Sequence, residues 1–232
     1  MTHPRIGRLV ATLAIPVFAV ACSGSTPLPT VPPNYKPTPA VSGHPGPTYP
    51  PSCPTSQPAP LGAADVKLVK IQTSKGSIEI TIKGGWSPIA TGNFASLVAC
   101  GYYDGVAFHR VSAGFVIQGG DGQFGRAPDI IPDLVGTGGP PYTIADEPVT
   151  QTYHRGTVAM ARTVQANSAN SQFFIVLDDS AVKDLAAAGR NKYQIMGVVT
   201  AGMDVVDKIV AAADKEIPTN PVIMTLATIS NP

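Results

Sequence analysis

From about Asp65 onward the chain is cut by glycines and prolines into short apolar runs, and that punctuation limits it to a β-rich fold. "VKLVKI" and "SIEITI" alternate apolar and polar residues with Gly76 between them, the pattern of two paired strands. Further strand-like runs follow at "GVAFHRV", "FVIQ", "GTVAMA", "QFFIVL", "YQIMGVV" and "VIMTLATI". Only two stretches read as helix. The first has Ser87 as N-cap, Pro88 at the first helical position, Phe94, Leu97 and Val98 on one face, and Gly101 as the stop. The second, "MDVVDKIVAAA", places Val205, Val206, Ile209 and Val210 at helical spacing. Many short strands with one helix near each end predict a mainly β, closed antiparallel barrel capped by helices.

The first part of the chain has a different character. Arg5 and Arg8 precede the short apolar run "LVATLAIPVFAVA", and Cys22 follows the small residue Ala21, the layout of a secretory signal over residues 1–21. The run is too short for a comfortable membrane span, which needs about 20 residues. "FAVAC" resembles the lipobox of bacterial lipoproteins, with Ala19 where leucine is usual, and this implies that Cys22 becomes lipidated. The alternative is an ordinary cleaved signal with an incidental cysteine. Residues 22–62 are dominated by proline, with Ser, Thr and Gly between, and show no apolar periodicity. Such a segment reads as a disordered, semi-stiff tether, with a proline-rich ligand for another domain as the second reading. The folded domain is then expected over residues 63–232.

The net charge of +1 supplies no long-range field toward nucleic acid or an acidic substrate, so no nucleic-acid partner is expected. Outside the cytoplasm Cys53 and Cys100 have the opportunity to pair; a buried, unpaired Cys100 is the other reading. "GDGQFG" fits a dinucleotide glycine fingerprint in spacing, but Pro128 and Pro132 follow it instead of a helix. The four histidines are scattered, no Cys or His spacing suggests a metal, and no serine lies in a nucleophile elbow. Neither a metal nor a cofactor is expected. One stretch nevertheless reads as a site. "FHRVSAGFVIQGGD" mixes Arg110 and Gln118 with large apolar residues around a tight turn, which suits a pocket better than a core or a solvent face.

"GYYDGVAFHRVSAGFVIQGGD", "GTGGPPYTIADE", "HRGTVAMA", "NSANSQFFIV" and "YQIMGVVTAGMDVVDKI" resemble, in order and spacing, the cyclophilins, a family of peptidyl-prolyl cis-trans isomerases. The similarity covers residues 66 to 229. It implies a closed eight-stranded antiparallel barrel with two capping helices and a proline-binding groove on its outside. By the same resemblance Arg110 matches the catalytic arginine and His109 its neighbour. Phe115 and Phe174 match the walls of the proline pocket, and Gln118 and Gln172 the groups that orient the arginine and the peptide. Ala161 matches the small residue beside the bound chain, Arg162 stands at a position where asparagine is common, and Leu185 matches a pocket leucine.

Val116 replaces the usual pocket methionine and Tyr193 a common histidine. The segment "DSAVKDLAAAGRNKY" has no tryptophan at the position associated with tight cyclosporin binding, and Trp86 lies far upstream, so weak cyclosporin binding is expected. "GQFGRAPDIIPDLV", residues 122–135, looks like an insertion: either a lid or a loop packed by its own side chains. The resemblance, joined to the leader, implies an exported, lipid-anchored isomerase on the outer face of the cell membrane, acting as a monomer on proline-containing segments of exported proteins. The alternative is a tethered proline-peptide-binding chaperone or interaction module with little turnover.

Overall fold

The computed structural model describes residues 49–187 and 193–232; the expected signal, Cys22 and the first part of the tether lie outside them. Strands β1 (Val66–Thr73) and β2 (Gly76–Lys83) form a hairpin with register Val66↔Lys83 through Thr73↔Gly76. Gly76 enters β2 at φ +129°, a backbone conformation that disfavours any side chain. Val69, Ile71, Ile78, Ile80 and Ile82 point inward, while Lys70, Gln72 and Glu79 face solvent. The period-two alternation is realised as the sequence predicts.

The remaining strands are β3 (Val106–Ala107), β4 (Arg110–Ser112), β5 (Val116–Gly119), β6 (Thr157–Met160), β7 (Phe173–Val176), β8 (Ile195–Ala201) and β9 (Ile223–Ser230). All pairings are antiparallel, in one sheet of order β3-β9-β1-β2-β8-β6-β7-β5-β4. The expected closed eight-stranded barrel is therefore corrected to a sheet of nine strands among the described residues. The run "GVAFHRV" is split, because its first half pairs with β9 and its second half with β5. Those two halves are the end strands of the sheet. The circuit is completed through the covalent chain at Phe108–His109, which changes partner there, and not by a hydrogen-bonded ladder.

Three helices, not two, occur among the described residues: α1 (Pro88–Ala99), α2 (Val182–Ala186) and α3 (Met203–Ala212). Pro88 opens α1 as expected, but the Ser87 hydroxyl makes no capping bond. The first amides are met instead by Glu147, whose carboxylate accepts from Ile89 N (2.8 Å) and Ala90 N (2.9 Å). A charged acceptor at a helix N-terminus serves the same orphan donors and also opposes the helix dipole. At the other end Gly101 adopts φ +77°, and the amides of Gly101 and Tyr102 return to the carbonyls of Val98 and Leu97. This is the glycine-terminated reversal that the sequence predicts.

Residues 49–62, expected as the end of a disordered tether, are laid along the domain. Cys53 is buried and disulfide-bonded to Cys100 at the end of α1, with a Cα–Cα distance of 5.1 Å. Tyr49 packs edge-on to Tyr102, Leu61 N donates to Pro88 O (3.0 Å), and Gln57 Oε1 accepts from Ala145 N (2.9 Å). Two glycines permit the approach: a Cβ on Gly92 would lie 2.3 Å from Ala59 O, and one on Gly84 2.1 Å from Gly62 O. Residues 49–62 are therefore part of the folded unit. The residues concerned are proline-rich, but backbone bonds and a covalent link hold them where no apolar periodicity would.

Closing a loop of 47 residues removes unfolded-state entropy worth about 4 kcal/mol in the chain-entropy account. We expect a chain beginning at residue 63, or the Cys53→Ala/Cys100→Ala double variant, to unfold at clearly lower denaturant than a chain beginning at residue 49. Equal midpoints in chemical unfolding would show that the arm contributes nothing.

Candidate functional site

Strands β5, β6 and β7 are buried on both faces, and the alternation along them sorts two apolar groups. Ile117, Val158, Met160, Phe173 and Ile175 enter the main core. Val116, Ala159, Phe174 and Val176 turn the other way, into a second cluster with Tyr153, Ala161, Leu185 and Ile195. Phe115 and Tyr193 are half-buried at the edge of that second cluster, as is Trp86, which is distant in sequence but not in space. The Phe174 and Tyr193 rings meet edge to face with centroids 5.3 Å apart. A face of the sheet that is apolar yet lies outside the barrel core is a binding wall in the making.

Register places the polar members on that same face. Arg110 pairs with Gln118 across β4–β5, Gln118 with Phe174 across β5–β7, and Phe174 with Ala159 across β6–β7. One row across the sheet thus runs arginine, glutamine, phenylalanine, alanine. Ala161 N donates to Gln172 O (2.8 Å), which brings Ala161 and Gln172 to the end of the row. Among the site residues matched through the family resemblance, Arg110, Gln118, Phe174, Gln172, Ala161, Val116, Leu185, Phe115 and Tyr193 converge here.

The amides in the row are fixed by a chain of bonds. Gln172 Nε2 donates to Gly136 O (3.0 Å) and Gly138 O (2.8 Å), so its Oε1 is left to accept from Gln118 Nε2 (2.9 Å). Gln118 Oε1 is buried without a partner among the described residues. Behind Gly136 and Gly138 stands Asp121, fully buried, which accepts from the amides of Gln123, Phe124, Gly136 and Gly138 at 2.7–3.0 Å. Asp121 therefore ties both ends of the 122–135 insertion together. Ile131 N and Val135 N bond within the loop, to Phe124 O and Ile131 O, both 2.9 Å. The segment is also fastened to the domain, since Arg126 donates to the carbonyls of Asp104 and Tyr102 and Ala127 N to Gly105 O, and its exit is hydrogen-bonded to Gln172.

Arg110 differs from expectation in its partner. Its guanidinium is not hydrogen-bonded to Gln118. Nε donates to one oxygen of Glu216 (2.8 Å), in the loop between α3 and β9, and Nη2 makes an ion-pair contact with the same oxygen (2.6 Å). Sequence reading missed Glu216, since nothing in "ADKEIPTN" marks a residue 106 positions away as a partner of β4. Arg162 also turns from the groove: its side chain pairs with Asp146 (2.9 Å) and donates to the carbonyls of Thr163 and Gln165. Only its main chain is left to meet a bound peptide.

His109 is buried beside these groups. Burial lowers its pKa from 6.5 to about 4, Asp121 opposing the shift and the Arg110 charge assisting it. The imidazole is neutral at pH 7. Because the unfolded chain binds the proton near pH 6.5 and the folded chain only near 4, this contribution is present above the unfolded value and is lost as pH falls through that window. The loss amounts to at most about 3 kcal/mol. His109→Asn should flatten the stability–pH curve between pH 6.5 and about 4; an unchanged slope in urea unfolding would exclude His109 as its source.

Residues 68–229 match the family model for cyclophilin type peptidyl-prolyl cis-trans isomerases. A probable peptidyl-prolyl cis-trans isomerase of Brucella abortus is 39% identical over 157 residues, covering 66% of this chain and 77% of that protein. A peptidyl-prolyl cis-trans isomerase of Streptomyces antibioticus is 36% identical over 172 residues, covering 71% and 99%. Among solved structures, a Cryptosporidium parvum cyclophilin type isomerase superposes with a TM-score of 0.59 at 28% identity, covering 72% and 99%. It has also been solved in the presence of the dipeptide Ala-Pro. The chain belongs to the cyclophilin-type peptidyl-prolyl cis-trans isomerases.

Proposed function

We propose that the groove binds proline-containing segments and speeds rotation about the X-Pro bond by hydrogen bonding from Arg110 to the imide nitrogen. The observation that carries this is the single row of Arg110, Gln118 and Phe174 on the apolar outer face. Rotation of an amide meets a barrier of about 20 kcal/mol, because the planar form is stabilised by conjugation between nitrogen and carbonyl. In the twisted form conjugation is lost and the nitrogen regains its lone pair. A donor aimed at that lone pair stabilises the twisted state and has little to bond in the planar one, which is the requirement for catalysis.

The wall of Phe115, Val116, Phe174, Leu185 and Tyr193 holds the proline ring and keeps water from the carbonyl. Water would favour the more polar planar form. Arginine suits the task because its charge persists at all relevant pH and its fork can be fixed at one edge while donating from another. The reaction consumes no proton, nucleophile or electron. Val116 in place of a methionine makes the wall shallower, and this should affect affinity more than rotation.

The second part of the reading concerns place. The charged start, short apolar run and Cys22 support export with a lipid anchor on the outer face of the cell membrane. There the protein, as a monomer, would serve exported chains, whose X-Pro bonds otherwise isomerise in tens to hundreds of seconds.

Exchange spectroscopy on a short Ala-Pro peptide tests the chemistry. The native chain should speed cis-trans exchange, and Arg110→Ala should lose about 100-fold or more of that effect, as for other deletions of a donor to a transition state. Peptide shifts without faster exchange would leave a binding module and end the catalytic reading. For cyclosporin, we expect a dissociation constant in the micromolar range or weaker. A nanomolar value by calorimetry would overturn the argument from the absent tryptophan.

A further inference from the structure

We propose that Glu216 is a positioning residue for the reaction: it holds Nε and Nη2 of Arg110 and thereby decides which edge of the guanidinium is left for the substrate. The proposal rests on the isomerase reading above. One oxygen of Glu216 takes both Nε and Nη2 of Arg110, leaving Nη1 buried with no partner among the described residues. Gln118 Oε1, the side-chain acceptor of its directly opposed cross-strand neighbour, is equally unpartnered among the described residues. Each is a buried polar atom that the fold leaves unsatisfied, and a bound group that supplied the matching acceptor or donor would relieve it.

Glu216 is itself held. Its carbonyl accepts from Val111 N (2.7 Å), the residue after Arg110, so its backbone is fixed to the strand that carries the arginine. The loop that bears it is closed by Asp214, which accepts from Thr219 N (2.9 Å) and Thr219 Oγ1 (2.7 Å). A carboxylate carried on such a loop can orient a guanidinium without a large ordering cost at each turnover.

The exposures of the two partners differ, and the difference bears on the role. The Arg110 side chain is 2% exposed and that of Glu216 is 41% exposed. The carboxylate offsets part of the desolvation of the buried guanidinium while staying partly in solvent itself. It also supplies direction. Without it, a long buried cation would be free to sample rotamers in which Nη1 no longer faces the row.

The test uses the full chain with Glu216→Ala, Glu216→Gln, Arg110→Ala and the Glu216→Ala/Arg110→Ala double variant. Cis-trans exchange kinetics on the Ala-Pro peptide over a range of peptide concentrations would give kcat and KM. Glu216→Ala should lower kcat by about tenfold with KM nearly unchanged, an effect confined to the transition state. Glu216→Gln, which keeps an oxygen acceptor, should recover part of the loss. In the Arg110→Ala background Glu216→Ala should add nothing, since Glu216 acts only through Arg110. A second readout needs no turnover: the Arg110 Nε–Hε resonance, assigned by its disappearance in Arg110→Ala, should be protected in the native chain and exchange-broadened in Glu216→Ala. An unchanged or faster kcat in Glu216→Ala, an added loss in the double variant, or an unchanged Nε–Hε signal would each overturn the proposal. If the native chain shows no isomerisation at all, the functional reading fails, and the Nε–Hε comparison still decides whether Glu216 orients the arginine.

Discussion

The structure depends on strands that bury both of their faces. In a sheet with one wet face, alternation would send Phe174 and Val116 into water. Here β5, β6 and β7 send Ile117, Val158, Phe173 and Ile175 into the barrel, and Val116, Ala159, Phe174 and Val176 to an apolar cluster outside it. The outer cluster has cover of its own, with Val116, Phe174 and Leu185 all buried, and it reaches solvent at the half-buried Phe115 and Tyr193. That edge is the candidate groove. Core and site are therefore two sides of the same four-residue strands, and a shift of register by one residue would exchange them.

Placing an arginine in that row carries a desolvation cost that the surroundings must offset. Arg110 is buried to 1% exposure, and the charge of Glu216 is what meets it. On the opposite side the neutral amides are ordered by a different anchor. Asp121 fixes Gly136 and Gly138, their carbonyls fix Gln172, and Gln172 fixes Gln118. Two independent supports thus converge on one strand pair, a cationic side held by Glu216 and an amide side held by Asp121. The insertion at 122–135 is integrated into the second support. Its length adds surface outside the groove without loosening the glutamine at its exit.

Much of this was legible in the chain. The alternation of β1 and β2, the Pro88 start and the glycine reversal at Gly101 are local effects, and they appear where the residues demand them. Convergence of Arg110, Gln118, Gln172 and Phe174 could be expected only from the family motifs, because no local rule brings residues 110 and 172 together. Three features were not legible. Ser87 sits at the N-cap, yet the bond comes from Glu147, since a charged acceptor from a distant loop outcompetes a local hydroxyl for the same amides. The run 106–112 reads as one strand, but the backbone must change partner at Phe108–His109 to join the two ends of the sheet. Residues 49–62 look like tether because their order comes from a disulfide and backbone contacts, neither of which leaves a periodic trace.

By itself the sequence determined the kind of elements, the family, and the identity of the groups proposed to line the groove, because these depend on residue type, short-range spacing and motif order. Only the tertiary structure decided which face of each strand became core and which became site. It also decided which distant carboxylate received each orphan charge or amide: Glu147 for α1, Asp121 for the insertion, Glu216 for Arg110. The physical reason is the same in all three. A buried donor requires an acceptor within about 3 Å, and which acceptor arrives there is set by how the chain returns on itself across tens of residues.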